Sequence, residues 1–348
     1  MNKKIYILFI MLLFCADIKA QQENGTYTFL NTTNYARVAA LGGLMLPIYD
    51  SDIQLATFNP SLINPEMNNS MSLSYVDYFS DINFATIQYG RSFEKIGSFV
   101  GTVQYHNYGD FFYSDETGFQ DDSQFDVSDY VINLGWGRRL NEQISIGANI
   151  KFAGIQYETN STFAIAVDVA ATYKTKSEWN ISLAARNIGA ELYNNYQGFR
   201  NKLPFKMQLG ASKKLEHLPF TFIVVYDNLQ KWNLGYDDPL DLEGNYDPMT
   251  GQMQEKSKLD KLAKNLFCHF VFAGELNLGK NLSLRLGYNY GLRQNMKTPT
   301  KKGAVGLSYG VAVKVYKFNI SYSRSEMHLH DSPNFITITT NFDSFKKH

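Results

Sequence analysis

Residues 282–290 read LSLRLGYNY, and residues 305–315 read VGLSYGVAVKV. In the first stretch Leu282, Leu284, Leu286, Tyr288 and Tyr290 alternate with Ser283, Arg285, Gly287 and Asn289. In the second, Val305, Leu307, Tyr309, Val311, Val313 and Val315 alternate with Gly306, Ser308, Gly310, Ala312 and Lys314. Successive side chains of a β-strand point to opposite faces, so each stretch predicts a strand with one oily face and one small or polar face. The same pattern sets Ile144, Ile146, Ala148, Ile150 and Phe152 against Ser145, Gly147, Asn149 and Lys151. Period-two runs of about ten residues are long enough to cross an outer membrane at a tilt. The competing class, a soluble barrel or sandwich, uses strands of about five or six residues.

Working outward from these runs, strands are expected near 71–79, 82–93, 97–107, 128–139, 144–157, 162–174, 178–188, 204–214, 218–228, 266–278, 281–291, 303–315, 317–326 and 333–342. The expected fold is therefore all-β, a transmembrane antiparallel barrel of about 14 strands, an even number as closed bacterial barrels require. Loop lengths test the count independently. With the barrel's first strand entering from the periplasm, the long connections near 108–127, 189–203, 229–265, 292–302 and 326–332 all fall on the outward side. The inward turns LNEQ, KTKS, LEHLP and GKN are short, which is the asymmetry of outer-membrane barrels. Tyr288, Tyr290, Phe318 and Tyr322 occupy strand positions suited to the aromatic girdles at a membrane interface.

The bulk numbers agree once they are read by face. The 348 residues carry 33 basic and 33 acidic side chains and 15% aromatics. Zero net charge lacks the cationic footprint of a nucleic-acid binder, and the aromatic content excludes a disordered chain. A mean hydropathy of −0.28 argues against a bundle of membrane helices but not against a barrel with a polar lumen.

The amino terminus predicts an export signal. Lys3 and Lys4 precede an apolar run, Ile5 to Phe14, too short to span a bilayer, and Ala20 offers a small residue for cleavage. Residues 1–20 are the expected signal peptide. A lipoprotein reading through Cys15 is disfavoured by the bulk of Phe14 before it. Cleavage would leave 30 basic against 32 acidic residues and Cys268 as the sole cysteine, so no intramolecular disulfide or Cys-rich zinc site is expected.

Residues 26–66, TYTFLNTTNYARVAALGGLMLPIYDSDIQLATFNPSLINPE, do not alternate. Helical spacing over Tyr35 to Leu41, a break at Gly42-Gly43 and a turn at Asn59-Pro60 describe a compact irregular segment. A lumen of about fourteen strands is too wide for its own side chains to fill, so it is either a channel or plugged. The pattern Ala36-Arg37, Ala40-Leu41-Gly42-Gly43, Asp52, Ala56 and Asn59-Pro60-Ser61-Leu62 resembles the N-terminal hatch of the FadL-like outer-membrane family. TYTFLN with ARVAALGG is most similar to the branch of that family, PorV and PorQ, found in the type IX secretion system.

The resemblance implies a plug over 21–68, a transmembrane barrel over 69–348 and no enzymatic activity or cofactor. It further implies an outer-membrane location and protein partners in a surface attachment complex that receives secreted cargo: PorZ, which the chain would anchor, with PorU and PorV. Membrane lipid is the other expected contact, and nucleic acid is not. The same family also contains transporters of hydrophobic small molecules, which is the alternative function. Within the plug, Arg37 needs a carboxylate, with Asp50 and Asp52 the candidates, since an unpaired buried charge is costly. Gly42 and Gly43 permit positive φ and close approach, and Asn59 is placed to hydrogen-bond backbone ahead of Pro60. These plug positions are read as structural, with a movable gate as the functional alternative.

Candidate partner-binding residues lie in the outward loops: Phe111, Phe112 and Tyr113 in one, Trp232, Tyr236 and Tyr246 in another. Exposed aromatics set among polar residues are how interfaces supply anchors. Motifs that suggest chemistry dissolve on inspection. Gly306-Leu307-Ser308-Tyr309-Gly310 fits G-x-S-x-G, but its glycines are the lumen positions of an alternating strand rather than a nucleophile elbow. Ser92 to Lys95 fits S-x-x-K but sits in a tight turn without companion motifs. His328 and His330, and the acidic run Asp237, Asp238, Asp241, Glu243 and Asp247, lack the spacing of a metal site. No catalytic, cofactor or metal residue is expected.

Overall fold

A computed structural model describes residues 26–114, 120–195, 200–234, 258–296, 303–328 and 331–346. The signal peptide, Phe119, Tyr236, Tyr246, the acidic run 237–247 and His330 lie outside the described residues. Fourteen antiparallel strands follow one another around a closed barrel. They are β1 Ser70–Asp77, β2 Asn83–Phe93, β3 Gly97–Ser114, β4 Gln120–Arg139, β5 Ile144–Tyr157, β6 Asn160–Lys174 and β7 Trp179–Asn194 in the first half. The second half holds β8 Lys206–Lys214, β9 Phe220–Tyr226, β10 Phe270–Leu278, β11 Leu282–Asn289, β12 Leu307–Val315, β13 Phe318–Ser325 and β14 Asn334–Asn341. Closure is made by β1 against β14, in register from Ser70↔Asn341 to Asp77↔Asn334, which removes the exposed edges that an open sheet would present.

The alternation sorts side chains as the sequence predicts. On β11, Leu284 and Leu286 are exposed while Arg285 and Gly287 face inward and are buried. On β5, Ile150 and Phe152 face outward while Ser145, Asn149 and Lys151 are buried in the lumen. Tyr288, Phe318 and Tyr322 are exposed on the outer face of the barrel, whereas Tyr290 leaves the sheet. The six inward turns contain two to five residues each, and every longer connection lies at the other end.

The structure corrects several strand limits. The connection expected at 108–127 is largely sheet: β3 and β4 run on as a long hairpin, pairing Asp110 with Asp126 and Phe111 with Phe125. The run Phe111-Phe112-Tyr113 hides the alternation there because both faces of the extension meet solvent. β7 likewise continues to Asn194, across a bulge where Asn187 adopts φ 57°. Residues 266–269 and 290–291 are not strand but helix and turn: after the plug helix α1, Ala36–Ala40, α2 spans Lys258–Phe267 and α3 spans Tyr290–Met296. Val305 precedes β12 and is buried rather than lipid-facing.

Residues 26–69 fill the lumen. A 3-10 turn at Thr28–Asn31 leads to α1, Ala36–Ala40, and three more 3-10 turns at Ile53–Thr57, Pro60–Leu62 and Pro65–Met67 deliver the chain to β1. Tyr35, Val38, Leu41, Met45, Phe58 and Leu62 are at most 1% exposed and pack on Ala184, Ile223, Val225 and Val271 of the wall. The hydrophobic core therefore lies between plug and barrel, while the barrel's own apolar residues form the outer belt. Each fully buried plug Leu or Phe contributes about 1.5–3 kcal/mol to holding the segment inside.

Candidate functional site: a plugged lumen beneath an aromatic mouth

The plug is joined to the wall by buried charge. Arg37, on α1 and 5% exposed, donates from Nη2 to Asp50 at 2.7 Å and to Glu275 at 2.8 Å, and from Nη1 to Asp52 at 3.0 Å. Both carboxylates named from the sequence are present. The third partner, Glu275 of β10, also accepts from Arg285 of β11 at 3.4 Å, so two guanidiniums and three carboxylates tie plug to wall. Burial on its own would lower the Arg37 pKa, but Asp50, Glu275 and Asp52 reverse this and raise it well above the usual arginine value. The cluster lines a polar cavity of about 370 Å³ that opens at the end of the barrel where the short turns lie. Glu275 escapes a sequence reading because it lies 238 residues from Arg37. Its one local signal is a carboxylate at a lumen position of an alternating strand.

A second link sits higher. Lys151 of β5 pairs with Asp168 of β6 at 2.7 Å and donates to Asn187 Oδ1 at 2.9 Å; Asn187 in turn donates to Asn31 of the plug at 2.9 Å. Arg186 lies 4.5 Å over the Phe58 ring and donates to the Leu30 carbonyl at 3.3 Å. Ser308, the centre of the G-x-S-x-G match, is buried and donates to the Ala40 carbonyl at 3.1 Å. Its chemistry is that of a plug contact.

Gly42 and Gly43 adopt φ 96° and 76°, and a Cβ on Gly42 would collide with Val271. Pro60 opens a 3-10 turn as the sequence suggests, but Asn59 acts differently from expectation. Its side chain makes no backbone cap; Oδ1 accepts from the Ser61 hydroxyl at 2.6 Å. Ser61 is close enough to Thr172 of β6, also at 2.6 Å, to fix this turn to the wall, so the short hydroxyl occupies the Asn59 Oδ1 in place of a backbone capping bond.

At the outer end the hairpin carries a ladder of rings. Phe111 stacks on Phe125 at 5.6 Å between centroids, and Phe125 meets Tyr113 at 4.9 Å and Tyr157 at 5.2 Å. Phe111, Phe112 and Tyr113 remain 43%, 49% and 36% exposed. Between this hairpin and the start of the plug lies a pocket of about 560 Å³, walled by Phe29, Tyr108, Phe111, Ile155 and Tyr157 with Asp129 among its polar groups. Trp232 is 56% exposed, and its carbonyl accepts from Asn265 at 2.6 Å. Among the described residues no three His, Cys, Asp or Glu side chains converge as a metal site would require.

Solved structures share this architecture. The toluene transporter TodX of Pseudomonas putida superposes with a TM-score of 0.52 at 11% identity, covering 90% of this chain and 98% of that one. The toluene transporter TbuX of Ralstonia pickettii gives 0.53 at 10% identity, covering 90% and 99%. A FadL homologue of Pseudomonas aeruginosa gives 0.50 at 9% identity, covering 89% and 98%. The fold is that of the FadL-type outer-membrane barrels. No family model and no curated protein sequence matches the chain. At these identities the likeness extends to the fold.

Proposed function

We infer that this FadL-type barrel is a non-enzymatic outer-membrane component that holds protein partners at its outer face, in the manner of PorQ in type IX secretion. On this reading it anchors PorZ within an attachment complex that includes PorU and PorV. The observation that carries the inference is the pairing of a lumen filled by an ion-paired plug with a projecting hairpin of exposed aromatics. A sealed interior leaves the outer surface as the working part, and Phe111, Phe112 and Tyr113 are the ring-bearing residues that anchor interfaces. The stretches TYTFLN, residues 26–31, and ARVAALGG, residues 36–43, supply the likeness to PorQ. Affinity isolation from outer membranes in mild detergent tests it. A stoichiometric partner on the wild type, lost when Phe111, Phe112 and Tyr113 are all changed to Ser, is expected; the same partners on both would overturn it.

A second reading, transport of hydrophobic small molecules, is favoured by a different observation, the pocket of about 560 Å³ at the outer mouth. The likeness of fold to the toluene transporters supports this reading rather than the first. An apolar compound that copurifies with the wild-type barrel in place of a protein would establish it.

A further inference from the structure

The outer pocket carries an uncompensated negative charge. Asp129 of β4 lines it and is 4% exposed, yet among the described residues the one side chain that donates to it is Tyr108, whose hydroxyl reaches Oδ2 at 2.6 Å. Behind the pocket Glu191 of β7, 2% exposed, is held among the described residues by neutral donors: Tyr27 at 3.0 Å, the Asn201 amides at 2.6 and 3.1 Å and Asn194 at 3.3 Å. Among the described residues no Lys, Arg or His lies within ion-pair distance of either carboxylate, and none lines the pocket. Arg200 and Lys202 of the adjoining connection are exposed and outside the lining. Further out, Asp110 stands directly across from Asp126 in the hairpin, a like-charge pair that adds to the negative field.

This differs from the deeper lumen, where Glu275 and Asp168 are both ion-paired. A buried charge is ordinarily matched by its own protein because desolvation without a partner is costly. Where the protein withholds the partner and leaves a cavity, a ligand can supply it. The walls point to the same ligand: the faces of Phe29, Tyr108, Phe111 and Tyr157 carry negative electrostatic potential and attract an ammonium group. A volume of about 560 Å³ admits a small molecule.

We propose that the outer pocket binds a small organic cation, an ammonium group on an apolar or aromatic body, with Asp129 as its counter-ion and the aromatic rings as its cage. A carboxylate ligand meets repulsion from Asp129 and Glu191 and is excluded. The proposal uses the pocket of the transport reading but concerns binding alone, so a cation that binds and never crosses leaves it standing.

Calorimetric titration of the full-length protein in a non-ionic detergent, with benzyltrimethylammonium, benzyl alcohol and benzoate as probes, tests it. The cation is expected to bind saturably and at least tenfold more tightly than the alcohol, with no saturable binding of benzoate. Asp129→Asn should weaken the cation at least tenfold and leave the alcohol unchanged. Phe111→Ala, which removes an exposed ring and no lumen contact to the plug, should weaken the cation without changing the heat-dependent gel shift of the folded barrel. Equal or tighter binding of benzyl alcohol would overturn the charge assignment while leaving a hydrophobic site intact. Binding of benzoate, absence of cation binding, or an unchanged Asp129→Asn affinity in a folded barrel would each overturn it as well.

Discussion

Glu275→Gln is the substitution that separates a plug held by charge from one held by shape alone. The change keeps the size of the side chain and removes one charge from a cluster of two guanidiniums and three carboxylates. Arg37 retains Asp50 at 2.7 Å and Asp52 at 3.0 Å. Arg285, 6% exposed, retains only a 3.4 Å bond to the Ser321 hydroxyl, since Glu275 is its one carboxylate among the described residues. Leaving a buried cation unpaired costs about 3–5 kcal/mol. Asp50→Asn is the control: that side chain is 36% exposed and Arg37 keeps two partners, so about 1 kcal/mol or less is expected. Urea unfolding of the barrel in lipid vesicles, followed by tryptophan fluorescence and by the gel shift of the folded form, measures both. Replacing the pair together, Glu275→Gln with Arg285→Met, should recover most of the loss. Equal costs for Glu275→Gln and Asp50→Asn, or no recovery in the double variant, would refute the assignment of Glu275 as the shared counter-ion.

Three further outcomes follow from the plug contacts. Gly42→Ala should cost about 1–3 kcal/mol, because the new methyl collides with Val271 at a backbone angle of φ 96°, and should expose the plug to added protease. Lys151→Met should cost about 3–5 kcal/mol by stranding Asp168, which is fully buried, and Lys151→Met with Asp168→Leu should restore most of it in the same urea assay. Ser308→Ala should cost about 1 kcal/mol, the size of one buried hydrogen bond, which is the value for a plug contact.

The barrel was legible because its signal is repeated. A one-residue error in any strand would move a whole row of Leu, Ile or Tyr from lipid to lumen, so the alternation along β5, β11 and β12 fixes the faces of those strands. The ends of strands were less legible for a physical reason: beyond the membrane neither face need be apolar, and the hairpin from Asp110 to Asp126 shows no period there. Helices α2 and α3 were missed because each abuts a strand, and Phe267 and Tyr290 read as a continuation of it. Within the plug, Arg37 with Asp50 and Asp52 could be foreseen because the partners are local, 13 and 15 residues away. Glu275 and Ser308 could be placed in the lumen by parity, but the plug residue that each meets depends on how a non-repeating segment folds inside a closed wall. Asn59 marks the limit of local chemistry: its sequence fits a turn cap, and the Ser61 hydroxyl two residues on takes the bond instead.

Conductance across a planar lipid bilayer addresses the sealed lumen on which the functional proposal rests. The mature wild-type barrel is expected to pass no steady ion current, and the barrel lacking residues 21–68 to conduct as an open pore of fourteen strands. Steady conductance by the wild type, equal to that of the barrel without its plug, would contradict the picture of an interior closed by ion pairs and packing.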